Sequence, residues 1–198
     1  MIAIVDYGMG NLRSVEKALI FLGFEAKITD SPHELARAEK IILPGVGAFS
    51  HAMNALREKG LDTKIKEEAR GGKPMLGICL GMQLFFDKSY ENGEFKGLGL
   101  LPGEIVRLPA GVKAPHVGWN SLDIKQREPL FTGLSENPFV YFVHSYHLKT
   151  DAPVVSATSF YGEDIQVAAQ KGNIFALQFH PEKSGDEGLA ILKNFGRL

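Results

Sequence analysis

Cys79 is the only cysteine in the chain, and it stands in Gly77-Ile78-Cys79-Leu80-Gly81, directly after the apolar run Pro74-Met75-Leu76. A reactive side chain on a tight strand-to-helix turn is forced into a strained backbone conformation, and glycines two residues to either side leave room for the crowded chain. The pattern offers a sulfur nucleophile turned toward substrate; the alternative is an inert thiol used as a small core residue. About a hundred residues downstream, after the strand-like run 174–179, comes His180-Pro181-Glu182. In extended chain, residues i and i+2 share a face, so this spacing predicts that Glu182 holds one imidazole nitrogen while the other addresses Cys79. A surface histidine beside a solvated glutamate is the plainer reading of the same three residues. A third element, Pro44-Gly45-Val46-Gly47, follows the apolar run 40–43. A glycine loop can present backbone N–H groups to a developing oxyanion, each worth ~3 kcal/mol at the transition state. Taken alone, the tetrapeptide is an ordinary strand-to-helix turn. Taken together, the three segments supply nucleophile, base, orienter and oxyanion donor, which is the equipment of acyl transfer.

These side chains need a scaffold, and the bulk properties bound it. The chain has 198 residues, 44% hydrophobic and 23% charged, enough for one well-filled core and short for two ordinary domains, so a single domain over 1–198 is expected. A net charge of −1 with interspersed signs gives no electrostatic footprint for nucleic acid. No apolar stretch approaches the ~20 residues that span a bilayer, and Met1–Asp6 lacks the basic start of a secretory signal, so no membrane role and a cytoplasmic location are expected. One cysteine forms no internal disulfide, which fits a reducing compartment. One cysteine and six scattered histidines offer no close metal-ligand set, with His144 and His147 expected on opposite sides of a strand.

Along the chain, strands and helices alternate. The pattern predicts strands at 2–5, 25–29, 40–43 and 75–78, helices at 11–22, 48–56 and 61–69, and a short helix starting at Ser31-Pro32; Gly71-Gly72 stops the third long helix. This βαβα layout implies a mostly parallel sheet flanked by helices. In such sheets ligands bind beyond the carboxyl ends of the strands, where Gly45, Cys79 and His180 all fall. From 97 to 148 the chain reads as short strands broken by Pro102-Gly103, Pro109-Ala110-Gly111 and Thr132-Gly133, a mixed-strand extension, before a closing helix at 188–195.

The segments 77–83 and 179–184, Gly-Ile-Cys-Leu-Gly-Met-Gln and Phe-His-Pro-Glu-Lys-Ser, resemble in order and separation the signatures of the triad-type, class I, glutamine amidotransferases. The resemblance covers the whole chain. Within that family, Pro44–Gly47, Asp6–Asn11, His116-Val117-Gly118-Trp119-Asn120 and Phe142-Val143-His144-Ser145-Tyr146 are similar to the glutaminase subunits that serve a cyclase of histidine biosynthesis. The family implies a flavodoxin-like α/β fold and hydrolysis of L-glutamine to glutamate and ammonia through a thioester on Cys79, with His180 and Glu182 completing the triad. It implies an oxyanion hole from Val46, Gly47 and Leu80, and substrate contacts from Gly45, Gln83, Glu91, Ser145 and Tyr146. No cofactor is implied. The expected partner is a (βα)8-barrel cyclase forming a heterodimer and receiving the ammonia, faced by Asn11, Trp119 and Lys183; a sole tryptophan is otherwise most often a core aromatic. Two other readings stay open: a glutaminase subunit of a different synthase, and a γ-glutamyl hydrolase acting alone.

Overall fold

The computed structural model describes residues 1–198. Its first half runs β1 (Ile2–Val5), α1 (Leu12–Phe21), β2 (Ala26–Thr29), α2 (Pro32–Arg37), β3 (Lys40–Gly45), α3 (Phe49–Glu58), α4 (Leu61–Arg70), β4 (Met75–Cys79) and α5 (Leu80–Leu84). Strands then take over: β5 (Lys88–Ser89), β6 (Phe95–Lys96), β7 (Glu104–Arg107), β8 (His116–Ser121), β9 (Asp123–Ile124), β10 (Phe139–His144) and β11 (Tyr146–Lys149). The chain finishes with β12 (Val155–Tyr161), β13 (Glu163–Lys171), β14 (Ile174–Leu177), a 3-10 turn at Pro181–Lys183 and α6 (Gly185–Arg197).

The main sheet has the order β2-β1-β3-β4-β14-β13-β11-β7-β5-β6. Its first five strands are parallel, and β13 turns antiparallel against β14. Every residue of β1, β4 and β14 is buried, which is why these strands appear in the sequence as unbroken apolar runs: helices cover both faces of a parallel sheet. Leu35, Leu56, Ile65 and Leu84 pack α2, α3, α4 and α5 on one face. On the other, Val15 and Leu19 of α1 meet Ile191 and Phe195 of α6.

The closing helix is longer than its apolar pattern, which starts at Gly188. Its first turn carries Asp186 and Glu187, acidic residues that suit the positive end of the helix dipole but give no hydrophobic period to read. The mixed extension ends in two pieces: β12 and β9 extend the main sheet from β13, while β8 and β10 form a separate antiparallel pair. In that pair His116 stands opposite His144, and Trp119 opposite Tyr141.

The consequence for chemistry is that β3, β4 and β14 lie side by side. Gly45 pairs with Cys79, and Leu177 with Ile78. Three segments far apart in sequence therefore leave the sheet at one edge, beyond the carboxyl ends of parallel strands.

Candidate active site

Cys79 has φ 55° and ψ −113°; Asn92 is the only other non-glycine with positive φ. The glycines around it are sterically required. A Cβ on Gly81 would collide with the Leu43 carbonyl, and one on Gly77 would sit 2.7 Å from Met82 Cα. The close packing of α5 back onto β3 and β4 thus holds the cysteine in a conformation it would not choose alone. Its sulfur lies 3.8 Å from Val143 O and accepts from Gln178 Nε2 at 3.9 Å.

His180 follows β14 by three residues, with its N–H donating to Tyr141 O at 2.9 Å and its own carbonyl receiving the Ser184 hydroxyl at 2.6 Å. The sequence suggested that an extended chain would bring Glu182 onto the face of His180. The chain instead turns: Pro181 lacks the N–H that would continue a ladder and opens a 3-10 turn. The pairing survives by this other route. His180 Nδ1 lies 2.8 Å from Glu182 Oε1, with both side chains at most 2% exposed. Asn11 Nδ2 donates to the same oxygen at 3.3 Å, so Asn11 meets the carboxylate behind the histidine.

Burial pulls the imidazole pKa down, but interaction with Cys79 and the Glu182 carboxylate outweighs it and holds the group at about 9. In this geometry His180 Nε2 is buried and makes no hydrogen bond. It is the free, proton-bearing end of an imidazole whose other end is fixed. The arrangement can keep a thiolate company as an imidazolium and hand its proton to a leaving group.

Beside Cys79 opens a cleft of ≈ 240 Å³, lined by Val46, Gly47, Leu80, Gln83, Glu91 and the segment from Val143 to Tyr146. Gln83 is buried, and its Nε2 donates to Tyr146 O at 3.1 Å and to Gln178 Oε1 at 3.0 Å. Both amide hydrogens are used, which leaves its oxygen as the acceptor the cleft can reach. Glu91 Oε2 accepts from Phe49 N at 2.7 Å, at the first residue of α3. Gly45 does not line the cleft. It is buried below it, where a Cβ would run into the Tyr7 hydroxyl, and Tyr7 donates to Pro44 O at 2.9 Å. Burial and the charge of Cys79 push the Tyr7 hydroxyl pKa upward, so it stays a neutral donor. Beyond Gly45 the loop is loosely held: Val46 is 43% exposed, Gly47 has φ 108°, and neither N–H makes a hydrogen bond within the chain.

Trp119 is 54% exposed, which removes the core-aromatic alternative. It meets Tyr141 edge-on, with centroids 6.2 Å apart, and Lys183 Nζ lies 5.9 Å over the same tyrosine ring. Trp119 and Lys183 therefore form one surface cluster, and Asn11 instead meets the Glu182 carboxylate. No three His, Cys, Asp or Glu side chains gather in a metal-ligating group. No helix is long and apolar enough to cross a membrane. Sequence reasoning missed Tyr7, Val143, His144 and Gln178 as members of the site. For Gln178 a signal existed, a lone amide inside the apolar run 174–179; for the others only the folded register brings them near Cys79.

Residues 3–197 match the family described as Glutamine amidotransferase class-I, and the chain belongs to that family. A solved structure, "Crystal structure of glutamine amidotransferase", superposes with a TM-score of 0.78 at 23% identity, covering 99% of this chain and 100% of that one. Much more similar in sequence is the imidazole glycerol phosphate synthase subunit HisH of Oceanobacillus iheyensis, 54% identical over 100% of this chain and 99% of its own length. The protein of that name from Moorella thermoacetica is 53% identical over 100% of this chain and 94% of its own.

Proposed function

We propose that this chain is the glutaminase subunit of an imidazole glycerol phosphate synthase, acting as one domain over residues 1–198. The observation that carries the reading is the strained Cys79 at the mouth of a cleft, with a buried, carboxylate-paired imidazole beside it. The full-length similarity to imidazole glycerol phosphate synthase subunits supports a place in a synthase with a partner subunit.

Cys79, as thiolate beside protonated His180, attacks the side-chain carboxamide carbon of L-glutamine. The carbonyl oxygen becomes an oxyanion held by backbone N–H groups of Leu80 and of Val46 or Gly47. As the tetrahedral species collapses, His180 gives its Nε2 proton to the departing amine, and ammonia leaves a γ-glutamyl thioester. Water, deprotonated by the now neutral His180, attacks the thioester and releases glutamate and the thiolate. Glu182 keeps the ring oriented through Nδ1 in both halves, and Asn11 steadies the carboxylate. Glu91, the free oxygen of Gln83 and backbone groups at Ser145 and Tyr146 receive the amino-acid end of the substrate, over a floor supported by Gly45.

Ammonia released into neutral water is largely protonated and loses its nucleophilicity, so it must pass to an acceptor under cover. The recipient in this reading is a (βα)8-barrel cyclase, joined as a heterodimer on the side where Trp119 and Lys183 are exposed, in the cytoplasm. There ammonia enters the reaction that forms imidazole glycerol phosphate and aminoimidazole carboxamide ribotide. The test is to mix the purified chain with its cyclase and the cyclase substrate, and to follow both products. One glutamate per imidazole glycerol phosphate is expected. Glutamate formed rapidly by the chain alone, with no gain in cyclase product, would favour a γ-glutamyl hydrolase acting alone.

A further inference from the structure

The motifs His116–Asn120 and Phe142–Tyr146 have so far contributed Trp119 and the cleft-lining segment from Val143 to Tyr146. The two histidines they carry face each other across the β8–β10 pair and are buried, and their contacts permit only one placement of protons. His144 Nδ1 lies 2.9 Å from Tyr146 O; a carbonyl only accepts, so Nδ1 carries the hydrogen. Burial drives the His144 pKa down to about 3. The ring is therefore neutral and Nε2 is an acceptor. That nitrogen is 3.1 Å from His116 Nδ1, which must donate. His116 Nε2 lies 3.5 Å from Asn120 Nδ2, which can only donate, so that nitrogen accepts in turn; burial, which lowers the His116 pKa, acts in the same direction. The other hydrogen of that amide goes to Phe160 O at 2.9 Å, and its oxygen accepts from Ser121 N at 2.9 Å. Packing fixes the ring planes as well. His116 is stacked between Phe142 at 4.7 Å and Tyr161 at 3.9 Å.

We propose that His116 and His144 are positioning residues, a one-directional hydrogen-bond relay that holds the Tyr146 carbonyl, and with it Gln83, in place for glutamine, and ties the pocket to the Trp119 strand. This rests on the reading of the cleft as a glutamine site. Tyr146 O receives two donors, His144 Nδ1 and Gln83 Nε2, one for each lone pair. With its hydrogens committed to Tyr146 O and Gln178 Oε1, the Gln83 amide keeps its oxygen toward the cleft. Ser145 is the one residue between β10 and β11; its own carbonyl is held by Leu108 N at 3.0 Å, and the His144 bond fixes the next carbonyl, that of Tyr146. At the other end, Asn120 is the neighbour of Trp119 on β8, so a displacement of that strand is felt at the pocket through two rigid rings.

The test measures L-glutamine affinity by calorimetry on the full chain carrying Cys79→Ala, so that binding is read without turnover. His144→Phe keeps the ring shape and removes both bonds; Kd should rise about tenfold, the value of roughly one net hydrogen bond. His144→Asn keeps a donor near the Nδ1 position and should stay within about threefold of the parent. His116→Phe preserves the stacking and removes the donor to His144, for a rise of about three- to tenfold, and His116→Asn should largely restore affinity. With Cys79 intact and the cyclase present, KM should follow Kd while kcat changes less than about threefold, because neither histidine touches the reacting atoms. Parent-like affinity in both Phe variants, or Asn variants as weak as the Phe variants, overturns the relay. Should His144→Phe fail to fold, the His116 pair decides alone. Tight glutamine binding with the expected variant pattern, but no glutamate from the unsubstituted protein with its cyclase, would overturn the glutaminase reading and leave the relay standing.

Discussion

The two walls of the cleft are constrained to very different degrees. On the Cys79 wall, β4 and β14 are neighbours deep in the parallel sheet, glycines pin the backbone of the cysteine from both sides, and the His180–Glu182 pair, which does not itself line the cleft, is almost out of contact with water. On the facing wall the chain leaves β3 at Gly45, Val46 is exposed, Gly47 takes a left-handed conformation, and the N–H groups of both are unspent. In the proposed mechanism the groups that form and break bonds are thus fixed, whereas the group proposed to stabilise charge can be supplied or withheld by a small backbone rotation. On that proposal, chemistry and its control occupy separate elements.

Substitutions on the fixed wall should be the most damaging, and damaging in every condition. Cys79→Ala removes the nucleophile, so glutamate formation should fall by ~10³-fold or more while the fold and cyclase binding persist. Ammonium salts should still support cyclase product, which separates loss of the nucleophile from loss of the assembly. His180→Ala should come close to that loss. On the loose wall, Val46→Pro deletes one backbone N–H; if that group serves the oxyanion, the rate with cyclase and its ligand should drop by ~10²-fold, with little change in the low rate of the chain alone. An equal drop in both rates would erase the distinction between the walls.

Glu182→Gln should be milder, on the order of tenfold, since an amide oxygen still accepts from Nδ1 and a cysteine–histidine pair depends less on its orienter than a serine does. A Glu182 variant less active than His180→Ala would mean that base and orienter are exchanged.

The smallest effect concerns stability. His180 titrates at about 9 in the folded chain and near 6.5 when unfolded, so the native state holds the proton more tightly. Its contribution is complete below about pH 6.5 and is lost as pH rises through about 9. The urea midpoint of the unsubstituted protein should therefore fall across that interval more steeply than that of His180→Gln.

How much of this was legible in the sequence follows the same division between local and long-range causes. The parallel half is legible because its strands are buried on both faces and its helices are amphipathic, so β1, β3 and β4 stand out as apolar runs between periodic segments. Cys79 is legible because its strain needs glycine at fixed offsets. The His180–Glu182 spacing pointed to the right pair through the wrong conformation: two residues apart suits an extended strand, and Pro181 made a 3-10 turn instead. What stayed hidden depends on register between distant strands. Nothing local to His116 or His144 says that they stand opposite each other, nor that Gln178 reaches both Cys79 and Gln83. Trp119 was ambiguous for the opposite reason, since a sole tryptophan has no periodic partner to reveal whether its face of β8 is covered.

The central claim is that this chain is a glutaminase whose fixed triad waits on a movable loop, and it is tested most directly by the rate of glutamate formation in three mixtures. These are the chain alone, the chain with its cyclase, and the chain with cyclase and the cyclase's nucleotide ligand. A low rate alone and a rise of ~10²-fold or more in the complete mixture is the predicted result, the usual value of one oxyanion donor gained. Equal rates in all three would contradict the account.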